Sequence, residues 1–254
     1  MISLIQLFMA GGNFALLAVL ILLLRLPIMC LTLSVHESAH GLVALKMGDP
    51  TARNFGRITM NPFKHFDIMG TVCLLVFGFG WAKGVPINAR NFENPKKGMA
   101  ISAAAGPISN ILMALMGMTF LRLFDIIFFE GTFYMPIYSG TSLSDLSLSL
   151  IVSEEVLMAE KLKLVLVFFF EMFSVMNVAL AIFNLIPVPP FDGSRIAYSI
   201  LPDKYYFGLM KYEGIIMIVV LVAFYMFGDG FSQVVYGVYN GIYSGISYLT
   251  GFLV

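Results

Sequence analysis

FALLAVLILLLRLPIMCLTLSVHESAHGLVALK, residues 14–46, is the stretch that decides how this chain folds. It is apolar almost throughout, with Arg25 and Pro27 as its first interruptions, and it runs into Met47-Gly48-Asp49-Pro50, where Gly48 and Pro50 are helix-stop signals. A helix of this length exceeds the ~20 apolar residues needed to cross a hydrocarbon core about 30 Å thick. Pro27 either kinks the helix or separates a short helix from the one that follows. Near the end stands His36-Glu37-Ser38-Ala39-His40, which holds two of the chain's three histidines.

On a helix His36 and His40 are one turn apart, so both imidazoles project from one face and can hold one zinc ion together. Glu37 is rotated away from that pair. The offset suits a general base, which handles a proton at the metal without taking a coordination position. The competing reading is a pair of histidines satisfied inside a helical bundle. Against it stands the cost of burying ionisable groups in hydrocarbon, roughly 2.5 to 3.5 kcal/mol for Asp, Lys or Arg, which makes such residues functional candidates by default.

Working outward, the chain of 254 residues is 59% hydrophobic and 12% charged, with a mean hydropathy of +0.89. Soluble domains are far less apolar, so the chain reads as an all-α polytopic protein embedded in a lipid bilayer. A formal net charge of zero without basic runs sets nucleic-acid binding aside. Cys30 and Cys73 lie in apolar surroundings without C-x-x-C spacing and read as free thiols. No signal-peptide pattern precedes the first apolar segment, which is expected to remain in the mature protein.

Further spans are expected at Met99–Phe129, at Leu162–Pro187 and from Glu213 to about Phe227, with a Tyr- and Gly-rich tail from Gly230 to Val254 that crosses weakly or lies at the interface. About 4 to 5 transmembrane helices result. Between the first two spans, the apolar run Ile68–Trp81 is too short to cross comfortably and is flanked on both sides by basic residues, including Arg53, Arg57, Lys64, Lys83 and Arg90. It reads as a re-entrant loop or small membrane-inserted β element, with both flanks cytoplasmic. The connection from Glu130 to Glu160 carries five acids and no Lys or Arg, and is expected on the opposite side.

Catalytic zinc takes three protein ligands and leaves a position open. Asp192, next to Gly193 in the proline-broken loop after the third span, is the candidate third ligand, since it and the histidines both lie near the cytoplasmic ends of their helices. A turn or helix-cap role for Asp192 competes with this, as does Glu171, which lies several turns deeper.

These motifs together resemble the site-2 protease family of intramembrane zinc metalloproteases, over most of the chain. His36-Glu37-Ser38-Ala39-His40 matches the family's H-E-x-x-H, Asn184 to Gly193 its N-x-x-P-x-x-x-x-D-G, and Gly106-Pro107-Ile108-Ser109-Asn110 its G-P-x-x-N. The nearest branch is the small bacterial and archaeal one, through Gly48 to Ala52, Asn61 to Gly70 and Gly80 to Pro86. Gly84 stands where that branch has proline, and Phe191 where the family often has leucine.

The resemblance implies one zinc ion held by His36, His40 and Asp192, with Glu37 as catalytic base. It also implies that Asn184 and Asn110 orient the substrate or its oxyanion, and that the substrate is a transmembrane segment of another protein. The setting implied is a prokaryotic plasma membrane, with the site near its cytoplasmic face. Residues 1–254 are expected to form a single intramembrane metalloprotease domain, without room for the PDZ or paired CBS domains of larger relatives. The segment around Gly78 to Pro86 is expected to hold an unwound substrate extended. His65 and Asp67 read as structural, with metal delivery or gating as the competing role. The rival functions are a metal-binding pseudoprotease and a divalent-cation transporter.

Overall fold

The computed structural model describes residues 13–68, 70, 82–129, 157–200 and 211–251. The described residues are mostly helical. The first long helix, α1, covers Asn13–Lys46 as one element with Pro27 inside it, so the proline does not divide it. The short α2 follows at Thr51–Asn54. Next comes α3, Pro95–Phe129, four residues ahead of the expected Met99. Asn94 explains the early start: its side chain accepts from the Lys97 N–H, and Pro95 occupies a first-turn position that needs no donor.

α4 covers Met158–Asn184 and stops before Pro187, and the short α5 covers Asp192–Tyr198. The last helix, α6, runs Glu213–Thr250 with non-helical torsions at Phe227. The tail is therefore helical as far as Thr250. Val235, Tyr239 and Tyr243 fall at i, i+4 and i+8 on it and are buried.

Three helices are long and apolar enough to cross a membrane among the described residues: Val19–Lys46, Pro95–Phe129 and Glu160–Asn184. This is the all-α membrane architecture that composition demanded. Of the expected re-entrant element, residues 69 and 71–81 lie outside the described residues, as does most of the acidic connection. What is described at its borders is one antiparallel bridge, Phe66 with Ala82, reinforced by the Lys83 N–H donating to the His65 carbonyl at 2.8 Å. Cys30 carries a free thiol, and Cys73 lies outside the described residues.

Contacts divide the chain into two compact units. One comprises the described residues of Met1–Ile28, Leu112–Val178 and Val235–Val254. Its core holds Met118, Leu121, Val167, Phe168 and Tyr243, all buried. Gly117 lies so close to Ser174 and Phe173 that a side chain there would overlap them, the close helix approach that small residues permit. Arg122 and Asp125, both buried, neutralise one another at 2.8 Å, and Arg122 Nε donates to Thr250 Oγ1 at 3.1 Å. Pairing is what allows such charges in an apolar interior.

The other unit comprises Met29–Ile111 and Ala179–Val234. Here the turn after α1 is locked by Asp49, which is fully buried. Its Oδ1 accepts from the Thr51 N–H, the Thr51 hydroxyl and Asn91 Nδ2, and its Oδ2 accepts from the Asn88 N–H at 2.7 Å. Gly48, at φ 105, supplies the left-handed turn that brings the chain out of α1.

Burial acts to raise the Asp49 carboxyl, but the hydrogen bonds from Thr51, Asn91 and Asn88 outweigh it and hold the group below its ordinary value of 3.8. Because the folded-state value is the lower one, Asp49 stabilises the fold fully above the ordinary value, and that contribution is lost as pH falls through the folded value. The expected result for Asp49→Asn is a loss of about 1–3 kcal/mol, since an amide must turn donors toward donors. Thermal unfolding in detergent between about pH 2 and pH 6 checks it: the wild type should lose stability toward acid more steeply than the variant.

Candidate metal centre

The local geometry begins with helix period. His36 and His40 lie one turn apart on α1, and their rings meet edge to face with centroids 4.6 Å apart. Both are buried. Each ring is oriented from behind by α3: His36 Nδ1 is 2.5 Å from Asn110 Oδ1, and His40 Nδ1 is 2.7 Å from the Ser102 carbonyl oxygen. Those partners are acceptors, so each Nδ1 carries the proton and donates it. The lone pair of each ring is thereby placed on Nε2.

The two Nε2 atoms face one another at 3.0 Å. Asp192 Oδ2 completes a triangle, 3.2 Å from each of them. Asp192 opens α5, after a turn in which Pro189-Pro190 is a cis peptide. Gly193 allows this turn, because a side chain there would overlap the backbone of Leu185 and Ile186. Phe191 is buried and packs edge-on against Phe183, with ring centroids 4.5 Å apart.

These three residues fit a metal ion. His36, His40 and Asp192 each offer one ligand atom within 4.8 Å of the others. With both Nδ1 protons committed to α3, three electron-pair donors converge without a hydrogen among them, and Asp192 Oδ2 has no hydrogen-bond partner among the described residues. A cation placed among them relieves that repulsion. Edges of 3.0 to 3.2 Å are close to the ~3.3 Å edge of a tetrahedron with ligands about 2.0 Å from zinc. A carboxylate that ligates a metal is ionised, and Asp192 Oδ2 faces the two Nε2 atoms as such a ligand would.

Gly106 makes the cradle. A methyl group on it would overlap both imidazole rings. Pro107, one residue on inside α3, lacks the N–H that would close the next backbone bond and so loosens the helix where it passes the histidines.

Glu37 is buried, and its Oε2 accepts from the Val85 N–H at 2.8 Å. The loop segment that supplies this donor is anchored on both sides. Lys83 N–H bonds to the His65 carbonyl, and Arg57 Nη2 donates to the Lys83 and Gly84 carbonyls. Gly84, in place of the expected proline, has open space around it.

Asn110 and Asn184 are placed differently from one another. Asn110 is fully buried against His36, where it orients a ligand ring. Asn184 donates its Nδ2 back to the Leu180 carbonyl at 3.0 Å. Glu171, the competing acid, belongs to the other unit. The Ser102 carbonyl, Ser38, Arg57 and Val85 were not legible as site residues. Two of them act through main-chain atoms, for which the sequence has no signal. Ser38 fills a variable position of H-E-x-x-H, and Arg57 read only as one of several loop cations.

A membrane-embedded helical protein with a buried His–His–Asp metal cradle and an adjoining carboxylate is the class that fold and site define. The comparisons place it more closely. The model of Peptidase family M50 matches residues 25–227, and the chain belongs to that family, the site-2 protease family of zinc metalloproteases. It is similar to a Bacillus subtilis (strain 168) protein named "Putative zinc metalloprotease YwhC", 36% identical over 203 residues, which are 78% of this chain and 80% of the relative. No solved structure matches the chain.

Proposed function

We propose that this metalloprotease hydrolyses peptide bonds within or beside transmembrane segments of other membrane proteins. In this reading one zinc ion is held by His36, His40 and Asp192, and Glu37 is the base. The observation that carries it is the convergence of three lone-pair donors at 3.0 to 3.2 Å inside a chain with three membrane-length helices. Zinc supplies Lewis acidity there, which makes water nucleophilic near neutral pH and polarises a peptide carbonyl.

The chain's own groups do the rest. Asn110 and the Ser102 carbonyl keep the imidazoles in the ligating tautomer. The Val85 N–H fixes Glu37 Oε2, and the carboxylate takes the proton of the attacking water and returns it to the leaving amine. An extended substrate pairs along the outer side of the 83–88 segment, where Lys83 and Gly84 are exposed. Asn184 orients the substrate by exchanging its bond to Leu180 for one to the scissile region. The basic residues flanking the helix ends near the site favour a cytoplasmic position for it, in a prokaryotic plasma membrane.

Membrane-protein fragments compared between cells making the wild type and Glu37→Gln test this. Fragments ending inside or beside predicted spans should accumulate with the wild type only. Identical fragment sets from two zinc-loaded proteins would overturn the reading.

A further inference from the structure

We propose that His65 is a positioning residue for Glu37, closing a hydrogen-bonded circuit that leaves α1 at Ser38 and returns to it at Glu37. The proposal rests on the reading of Glu37 as base. Ser38 Oγ donates to the Thr59 carbonyl at 2.8 Å, and the Thr59 N–H donates back to Ser38 Oγ at 3.2 Å. His65 Nε2 then donates to the same Thr59 carbonyl at 2.9 Å. The His65 carbonyl accepts the Lys83 N–H at 2.8 Å. Two residues on, the Val85 N–H reaches Glu37 Oε2 at 2.8 Å.

Each link constrains the next. Residues 83 and 85 belong to one short stretch, so holding the Lys83 N–H at His65 restricts where the Val85 N–H lies against the carboxylate. Arg57 braces the same segment through the Lys83 and Gly84 carbonyls. His65 joins the two loops, its side chain bonding one and its main chain the other, beside the direct link that Arg57 makes.

Its chemistry suits a fixed donor. His65 is fully buried. A carbonyl acceptor at Nε2 requires the proton there, and Nδ1 has no hydrogen-bond partner among the described residues. His65 thus works as a strut, a fixed donor from Nε2 to the Thr59 carbonyl. A base displaced by about 1 Å costs on the order of 10²-fold in rate, so removing the strut acts on turnover more than on substrate binding.

The test uses the full-length protein in detergent micelles with a synthetic fluorophore–quencher peptide of about 20 apolar residues. kcat, KM and zinc content are measured for wild type, Glu37→Gln, His65→Phe, His65→Gln, Ser38→Ala and the double variant His65→Phe/Ser38→Ala. His65→Phe should lower kcat about 10- to 100-fold with KM within about twofold and zinc retained. His65→Gln, whose amide can still donate to the Thr59 carbonyl, should recover kcat to within about threefold of wild type. The double variant should be no slower than its slower parent, because both changes open one circuit.

Wild-type kcat in His65→Phe, a loss confined to KM, a glutamine no better than phenylalanine, or losses that multiply in the double variant would each overturn the proposal. Should His65→Phe not fold, Ser38→Ala and His65→Gln decide: wild-type kcat in the former or a large loss in the latter overturns it. Glu37→Gln separates the two failures. Undiminished turnover by that variant removes the base itself from Glu37, whereas an inactive Glu37→Gln beside a fully active His65→Phe removes only the strut.

Discussion

Glu37→Gln is expected to lower kcat by about 10³-fold while zinc content and thermal stability stay at the wild-type level. The size follows from what the substitution removes. Glutamine matches glutamate in shape, and its amide oxygen can still accept the Val85 N–H that Glu37 Oε2 accepts at 2.8 Å. Packing and the 83–88 segment are therefore preserved, and proton transfer alone is lost. Glu37 is outside the His36, His40 and Asp192 group, so metal affinity should not follow activity. Peptide cleavage and metal analysis on the same preparation decide the matter. A variant that lost its zinc would make Glu37 a ligand, and one that kept its turnover would make it a bystander.

Gly106→Ala sets two effects of opposite sign against each other. In the interior of a helix, exchanging glycine for alanine ordinarily gains roughly 0.5–1 kcal/mol. At Gly106 the added methyl overlaps the rings of both His36 and His40, and those rings are held from behind by Asn110 and the Ser102 carbonyl, so they cannot simply retreat. Either α3 moves away and the Nδ1 partners are lost, or the Nε2 atoms leave the triangle with Asp192. Loss of such ring-orienting bonds typically costs about 10- to 100-fold in metal affinity or activity, and here both rings are affected together. The expected result is a protein that folds but retains little zinc at micromolar metal and cleaves at least about 10²-fold more slowly. Gly237→Ala is the matched control, since nothing lies within 4 Å of a side chain built there. It should keep full zinc and full activity. Equal zinc in both variants would show that the close approach of α3 is dispensable.

Both outcomes trace back to how differently the parts of this site are encoded. The histidine pair was legible because its geometry is local. A helix carries residues four apart to the same face whatever else the chain does, and the run from residue 14 to residue 46 could be little but a helix. Asp192 could be nominated from its loop, its depth and a family motif, but its distance from the imidazoles could not be read. The helix boundaries were close, and where α3 started early the reason was a local cap at Asn94. The tail after Phe227 was less legible, since glycines and tyrosines weaken a hydropathy pattern. Its helix shows its logic only when Tyr239 and Tyr243 are seen buried.

Asn110 illustrates the remaining limit. Its motif could be recognised, yet the role expected of it, toward the substrate, differs from the contact it makes, with a ligand ring 74 positions earlier. From sequence alone came the membrane setting, the long helices, the paired imidazoles with their neighbouring acid and the identity of a third donor, because helical rise and hydrophobicity are properties of neighbouring residues. The tertiary structure alone decided which ring nitrogens face Asp192, what a side chain at position 106 would meet, and that the Val85 N–H reaches Glu37. Those depend on contacts between residues 48 to 74 positions apart, made in part by main-chain atoms that every residue carries.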